Sequence, residues 1–191
     1  MATSFKMVKG STLVVVTGLS GSGKSTMGPK LAEYLGDSEA YLDEDKSFKS
    51  SSQMPRIEFR GREVTLWDSE ESVDIQNLRE RISKKSTFHR RVVVTGFYLP
   101  PHVLEDFPVE VYIVLDIDPK TSLERRQVSK ATLAASGKFD PDKDRWMMEN
   151  YTFPFYQKGL RKIEDQKLVG VHHIDASKSP EEVWEDIKKL F

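Results

Sequence analysis

Residues 18–25 read GLSGSGKS, a spacing of glycines, lysine and hydroxyl that fits GxxxxGK[S/T]. Glycines let successive backbone N–H groups converge on an anion with no Cβ in the way. A helix starting at Ser25 would add its N-terminal partial positive charge at the same point. Gly18, Ser20, Gly21, Ser22, Gly23 and Thr26 are therefore expected to wrap a phosphate chain, with Lys24 on its β- and γ-phosphates. The Ser25 hydroxyl is the expected ligand of Mg²⁺. The motif gains weight from its setting, an apolar run (TLVVVT, 12–17) before it and helical periodicity after it. The expected ligand is a nucleoside triphosphate.

The next chemistry-bearing residues are carboxylates. Asp43 and Asp45 stand two apart in AYLDEDKSF, just past a short apolar run. Open α/β sheets bind ligands beyond the carboxyl ends of their strands. A carboxylate there can take the proton of a substrate hydroxyl or hold Mg²⁺ through water; a solvated strand exit is the competing reading.

Positioning these groups falls to five short apolar runs, at 12–17, 39–42, 91–97, 109–115 and 169–174, rich in β-branched residues. They alternate little, as strands covered on both faces do. Helical spacing recurs between them: Met27, Leu31 and Leu35, then Val73, Leu78 and Ile82, then Val183, Ile187 and Leu190 behind the capped start Ser179-Pro180-Glu181-Glu182. The pattern predicts a three-layer α/β fold of the P-loop NTPase kind, a five-stranded parallel sheet with helices on both faces. One domain is expected to span 1–191, with a small lid at about 126–146. Residues 44–68, broken by Pro55 and Gly61, resist regular assignment, as do residues 128–145, which show a helical start and a turn at Gly137 and Pro141; such stretches are usually functional loops or lids.

Composition narrows the partners. Lys and Arg total 29 against 30 acidic residues, so net charge attracts neither nucleic acid nor membrane. The chain has no cysteine, which excludes disulfides, thiolate metal sites and cysteine nucleophiles. His172 and His173 lie in an apolar run and read as strand rather than ligand. No apolar stretch reaches the ~20 residues of a membrane helix, and residues 1–11 lack a secretory h-region. A cytoplasmic location is the expectation. No N-K-x-D or T-K-x-D guanine-reading motif occurs.

In order along the chain, GLSGSGKST, LDEDKSF and WDSEESVD (67–74) resemble the motifs of uridine kinases and nicotinamide riboside kinases. VYIVLDIDPKTSLERR is similar to that family's strand leading into an arginine-bearing lid, and NYTFPFYQKG to the aromatic–proline–aromatic helix after it. The resemblance implies an ATP- and Mg²⁺-dependent kinase whose acceptor is a small metabolite, most closely the 5′-OH of a nucleoside. It places the hydroxyl-activating base at Asp45, with Asp43 as the alternative base or a metal ligand. Asp68 would bind the acceptor's diol. Of the adjacent Arg125 and Arg126, only one is expected to turn inward; Arg126 is preferred for the transferring phosphoryl group, Arg125 for the nucleotide, with Lys130 assisting. Phe48, Trp67, Phe97 and Tyr98 would stack on an acceptor base, and Ala176–Ser177 would lie beside adenine.

One departure stands out. The family's strand ends in a glutamate–glycine pair near the metal, whereas here Thr95 precedes Gly96. Either Asp43 or Asp45 is expected to supply the missing carboxylate, or the metal is held more loosely. Asp116 matches a loose Walker B pattern and is expected to cap the turn at Asp118–Pro119. Adenylylsulfate, gluconate and nucleoside monophosphate kinases are alternatives within the fold. A nucleotide-binding regulatory protein with little turnover is the alternative outside the enzymes. Residues 126–146 carry little apolar surface, and Arg126, Lys130 and Lys138 would draw them onto the phosphates.

Overall fold

The computed structural model describes residues 10–137, 139–165 and 170–191. Lys138, one of the expected lid cations, lies outside the described residues. The strands of the main sheet are β1 (Thr12–Gly18), β2 (Tyr41–Asp43), β5 (Arg91–Gly96), β6 (Val109–Asp116) and β7 (Val171–Asp175). They are parallel, in the order β2-β5-β1-β6-β7. The remaining strands, β3 (Arg56–Phe59) and β4 (Arg62–Thr65), form a separate antiparallel hairpin.

The period of two along each strand divides the core. Leu13 and Val15 join Val92, Val94, Tyr112 and Val114 on one face, while Val14 and Val16 join Val93, Ile113 and Leu115 on the other. The first face is covered by α2 (Ile75–Ser86) and α3 (Pro101–Leu104), and by α7 (Phe153–Asp165), through Leu78, Ile82, Val103 and Ile163. The second is covered by α1 (Lys24–Tyr34) and α8 (Pro180–Lys188), through Met27, Leu31, Val183 and Ile187. Ser179 caps α8 in a reciprocal pair with Glu182, as its sequence requires.

Two stretches hold more regular structure than the sequence assigns them. Residues 44–68 hold the β3–β4 hairpin, because Arg60 and Gly61 both take positive φ and make a two-residue turn between alternating strands. Residues 128–145 are largely helical. They include the end of α4 (Pro119–Ser129), then α5 (Ala131–Ala135) and most of α6 (Pro141–Met147). Asp118 and Asp140 cap α4 and α6, and Gly137 at φ +70 breaks the chain between α5 and α6. The stretch expected to act as a lid thus holds helices among its described residues, α4 and α6 capped by side chains and α5 not. Among the described residues, no helix is long and apolar enough to cross a membrane.

Candidate active site

The loop from β1 into α1 is shaped by its glycines. A Cβ on Gly18 would stand 2.5 Å from Ser22 Oγ and 2.7 Å from the Leu115 carbonyl, so the loop is wound tightly on itself and on β6. Gly23 sits at φ +97 as the N-cap of α1, and nothing lies within 4 Å of the place a Cβ would take. No side chain caps this helix, which leaves its first amides to an anion. Lys24 Nζ donates to the carbonyls of Gly18 (2.7 Å) and Leu19 (2.9 Å), folded over the same hollow. Burial lowers its pKa, while the carboxylates of Asp45, Asp68, Glu44 and Asp43 act the other way. A tight glycine cradle, an uncapped helix start and a half-buried lysine suit a phosphate chain.

A cleft of about 660 Å³ opens over this loop. Its walls bring together Lys24, Ser25, Asp43, Asp45, Asp68 and Arg126, the residues on which the sequence reading placed the chemistry. Ser20, Gly21, Thr26, Phe48, Trp67, Phe97, Arg125 and Lys130 also line the cleft or its loop. Ser22 is buried behind the loop. A larger hollow of about 720 Å³ lies at the opposite ends of the strands, near Gly10, His89 and Glu110. It lacks both the glycine loop and the C-terminal strand ends, so the cleft over the loop is the candidate site.

Asp43 ends β2 and its carboxylate accepts from the Asp45 amide (3.1 Å), starting a single 3₁₀ turn over Glu44–Ser47. Arg81 of α2 pins this turn by donating to the Asp43 carbonyl (3.2 Å) and Ser47 Oγ (2.5 Å). Asp45 is left at the cleft mouth, and partial loss of hydration, then repulsion from Asp43, raise its pKa. A base with a raised pKa is a better proton acceptor.

A third carboxyl reaches the end of β5. Glu44, between Asp43 and Asp45, is 2% exposed, and its Oε2 accepts from the Phe97 amide at 2.7 Å. It rests on Gly96, where a Cβ would come within 2.4 Å of that oxygen. Burial drives its pKa up to about 8, and the Phe97 N–H only partly opposes this. Sequence reasoning missed Glu44; the signal was Gly96 itself, a strand-end glycine with room for a neighbour's carboxylate. Thr95 is buried, and its hydroxyl shares a hydrogen bond of 2.9 Å with Tyr41. Both side chains press on Gly28 of α1, whose missing Cβ would meet Thr95 Cγ2 at 2.3 Å.

The two adjacent arginines both turn inward, contrary to the expectation of one. Arg125 spans the loops, donating to the carbonyls of Ala176 (2.7 Å) and Ser177 (3.0 Å). It thereby fixes the segment expected to lie beside adenine against the glycine loop. Arg126 donates from Nε to Asp144 Oδ1 (2.8 Å), with Nη1 3.8 Å from Asp68 Oδ2. Asp68 also accepts from Thr152 Oγ1 at 2.8 Å. α4 can serve both directions because it runs across the cleft edge, with Ser122 Oγ anchored to the Ser20 carbonyl at 2.6 Å.

Two further assignments are corrected. Tyr98 is 4% exposed, wedged against Gly159 and Phe155, so it supports the wall from behind and cannot stack on a ligand. Asp116 pairs with His173 Nδ1 at 2.8 Å, and Asp118 caps α4 instead. Phe48 and Trp67 do face the cleft, edge to face at 5.7 Å. Among the described residues, no group of three acidic or imidazole side chains is arranged to hold a metal. A Mg²⁺ ion would therefore lean on phosphate oxygens, with Ser25 and Asp43 beside it.

No protein-family model matches the chain. Over 89 residues it is 37% identical to a shikimate kinase of Chlorobium phaeobacteroides (strain BS1), covering 47% of this chain and 40% of that protein. Over 78 residues it is 35% identical to a shikimate kinase of Chlorobium limicola, covering 41% and 37%. The chain thus spans about two-fifths of the length of these curated relatives. Among solved structures, a gluconokinase from Sinorhizobium meliloti 1021 superposes with TM-score 0.58 at 19% identity, over 95% of this chain and 91% of that one. A sugar kinase from Janibacter sp. HTCC2649 gives 0.57 at 19%, over 94% of each. The chain has the P-loop kinase fold. At such identity the likeness is one of architecture. None of these four is named a uridine or nicotinamide riboside kinase, so that resemblance rests on the motifs.

Proposed function

We propose that the chain is an ATP-dependent phosphotransferase acting on a hydroxyl of a small metabolite, the 5′-OH of a nucleoside. The observation that carries the reading is the meeting of Lys24 and Ser25 with Asp45 and Asp68 across one cleft. The cleft holds a phosphate cradle on one side and carboxylates for a hydroxyl and a diol on the other. Asp45 takes the hydroxyl proton as the oxygen attacks the γ-phosphorus, and ADP departs. Lys24, drawn from its carbonyl contacts, stabilises charge growing on the β–γ bridging oxygen. Arg126 steadies the transferring group's oxygens from the lid side, and Arg125 holds the nucleotide side of the cleft closed. Mg²⁺ would neutralise β- and γ-phosphate charge, with Ser25 and Asp43 beside it. Asp68 and the Phe48–Trp67 corner support a ribose carrying a ring.

A second reading has its own support. The curated relatives are named shikimate kinase, and the structural neighbours gluconokinase and sugar kinase, which favours a sugar-like or hydroxy-acid alcohol as acceptor. ADP release over a panel of nucleosides, sugars, gluconate and shikimate separates the two. The nucleoside reading requires turnover that depends on a nucleoside. Turnover only with gluconate, shikimate or a sugar selects the second reading, and ATP affinity without any acceptor-dependent turnover selects a regulatory binding protein.

A further inference from the structure

Beside the main cleft lies a second cavity of about 360 Å³, between β4 and α6. The two spaces share Trp67, Asp68, Arg126 and Lys130 as walls, so a ligand bound at Asp68 would have both within reach. The walls that belong to the second cavity alone set apolar Val64, Phe139, Met147 and Met148 among polar and charged residues, Arg56, Glu63 and Lys143 included. A flat ring can rest on Trp67, Phe139 and the two methionines while its polar edge meets the charged groups.

One buried group in this cavity lacks a partner. The Asp144 side chain is 7% exposed, and Arg126 Nε occupies only its Oδ1. Oδ2 is buried and has no hydrogen-bond partner among the described residues. A buried acceptor left bare carries a desolvation cost, which a ligand donor would relieve. Across the same space, Lys130 and Lys143 present donors to any carbonyl or ring nitrogen.

We infer that this cavity is a ring subsite in which Asp144 Oδ2 accepts a hydrogen bond from an exocyclic amino group, making the acceptor an amino-bearing nucleoside. The inference rests on the nucleoside reading above and sharpens it. Arg126 ties the subsite to the chemistry, because the carboxylate that reads the ring also orients the arginine facing the phosphoryl group. A correctly seated ring thereby favours a correctly placed Arg126. An oxo-substituted ring in the same place sets a carbonyl against a carboxylate and leaves the acceptor unpaired. Sites built to bond a polar group discriminate strongly against analogues lacking it.

The test compares kcat/KM for cytidine against uridine and for adenosine against inosine, pairs that exchange an amino group for a carbonyl. The wild type should prefer the amino member by at least ~10-fold. In Asp144→Asn the amide oxygen keeps the Arg126 contact and the NH₂ replaces the bare oxygen. The amino-to-oxo ratio should then fall at least ~10-fold, with ATP KM little changed. Equal loss for both members would mean that Asp144 only orients Arg126, and overturns the inference. So does a wild type that phosphorylates nucleosides without an amino preference, a measurement that needs no variant to fold. Turnover confined to gluconate, shikimate or sugars would fell the nucleoside reading itself, and the inference with it.

Discussion

On the side of the loop between β1 and α1, the cleft is built from glycine-shaped main chain around Gly18, Gly21 and Gly23 and the uncapped end of α1, with Lys24 and Ser25 as its side chains. Across the cleft, Asp68, Arg126, Lys130 and Asp144 are side chains from the segment after β4, from α4 and its C-terminus, and from α6. The first wall is anchored by a central strand that is almost wholly buried. The second is built from short elements held by a few polar contacts, Arg126–Asp144 and Thr152–Asp68 chief among them. A backbone cradle accepts any phosphate chain of the right length, so it sets the chemistry. A side-chain wall can be rebuilt one residue at a time, so on the proposed reading it is the side that sets the acceptor. Variants on the two sides should therefore fail differently.

The largest effect is expected at Asp45, where the walls meet. Asp45→Asn should lower kcat by roughly 10²–10⁴ with ATP affinity nearly unchanged, because the lost group acts on the acceptor hydroxyl. Steady-state kinetics of ADP release against both substrates checks this. If Asp43→Asn shows the loss and Asp45→Asn does not, the two aspartates exchange roles. Lys24→Ala, on the backbone side, should reduce turnover at least ~10²-fold whichever acceptor is used. Near-normal turnover at saturating ATP would remove Lys24 from the mechanism and leave it a structural clasp on Gly18 and Leu19.

The same contrast explains what was legible in the sequence. The phosphate cradle lies within one contiguous run, and only glycines permit its left-handed turns, so spacing alone reports it. The five parallel strands were legible for a related reason, because burial on both faces leaves continuous β-branched runs. Asp144 and Glu44 gave no such signal. Each acquires its surroundings only when tertiary packing buries it, Asp144 against Arg126 and Glu44 against Gly96. The β3–β4 hairpin was hidden because its strands are half exposed and polar, with a turn, Arg60–Gly61, in which only glycine is distinctive. Tyr98 was misplaced because an aromatic after a strand gives no hint of the Gly159 notch that swallows it.

Glu44 offers an intermediate effect that titration reads. Its carboxyl is held up to about 8 in the folded protein, against 4.5 as its ordinary value. Between those values the folded chain keeps a proton that the unfolded chain has released. Its contribution to stability is therefore fully present below about pH 4.5 and is lost as pH rises through about 8. The loss should be on the order of a few kcal/mol. Glu44→Gln keeps an oxygen for the Phe97 amide and cannot ionise, so melting temperatures measured from pH 5 to 9 should fall less for the variant. Parallel profiles would mean that Glu44 is already ionised in the native cleft, with Lys24 as its counter-charge.

The smallest effect concerns motion, and it tests the mechanical side of the comparison. Water competes with the acceptor for the γ-phosphoryl group, so the acceptor wall should close fully only with both substrates bound. α5 has no buried residue, and exposed Leu133 and Val128 show how little apolar surface holds this stretch down. Low burial implies cheap local opening. Residues 139–146, by contrast, carry Asp144 and sit beside buried Met147, so they should behave as part of the wall. Amide exchange should then be fast across 129–137 in the free protein and slower across α6. An ATP analogue together with an acceptor should slow exchange in 129–137 several-fold, more than either ligand alone, because both load the arginines that α4 carries. Amides of β1 should change little, their exchange being governed by global unfolding. Equal protection of 129–137 with and without ligands would make α5 a fixed part of the wall. The closing role would then pass to Arg126, whose contact with Asp144 already spans the gap between α4 and α6.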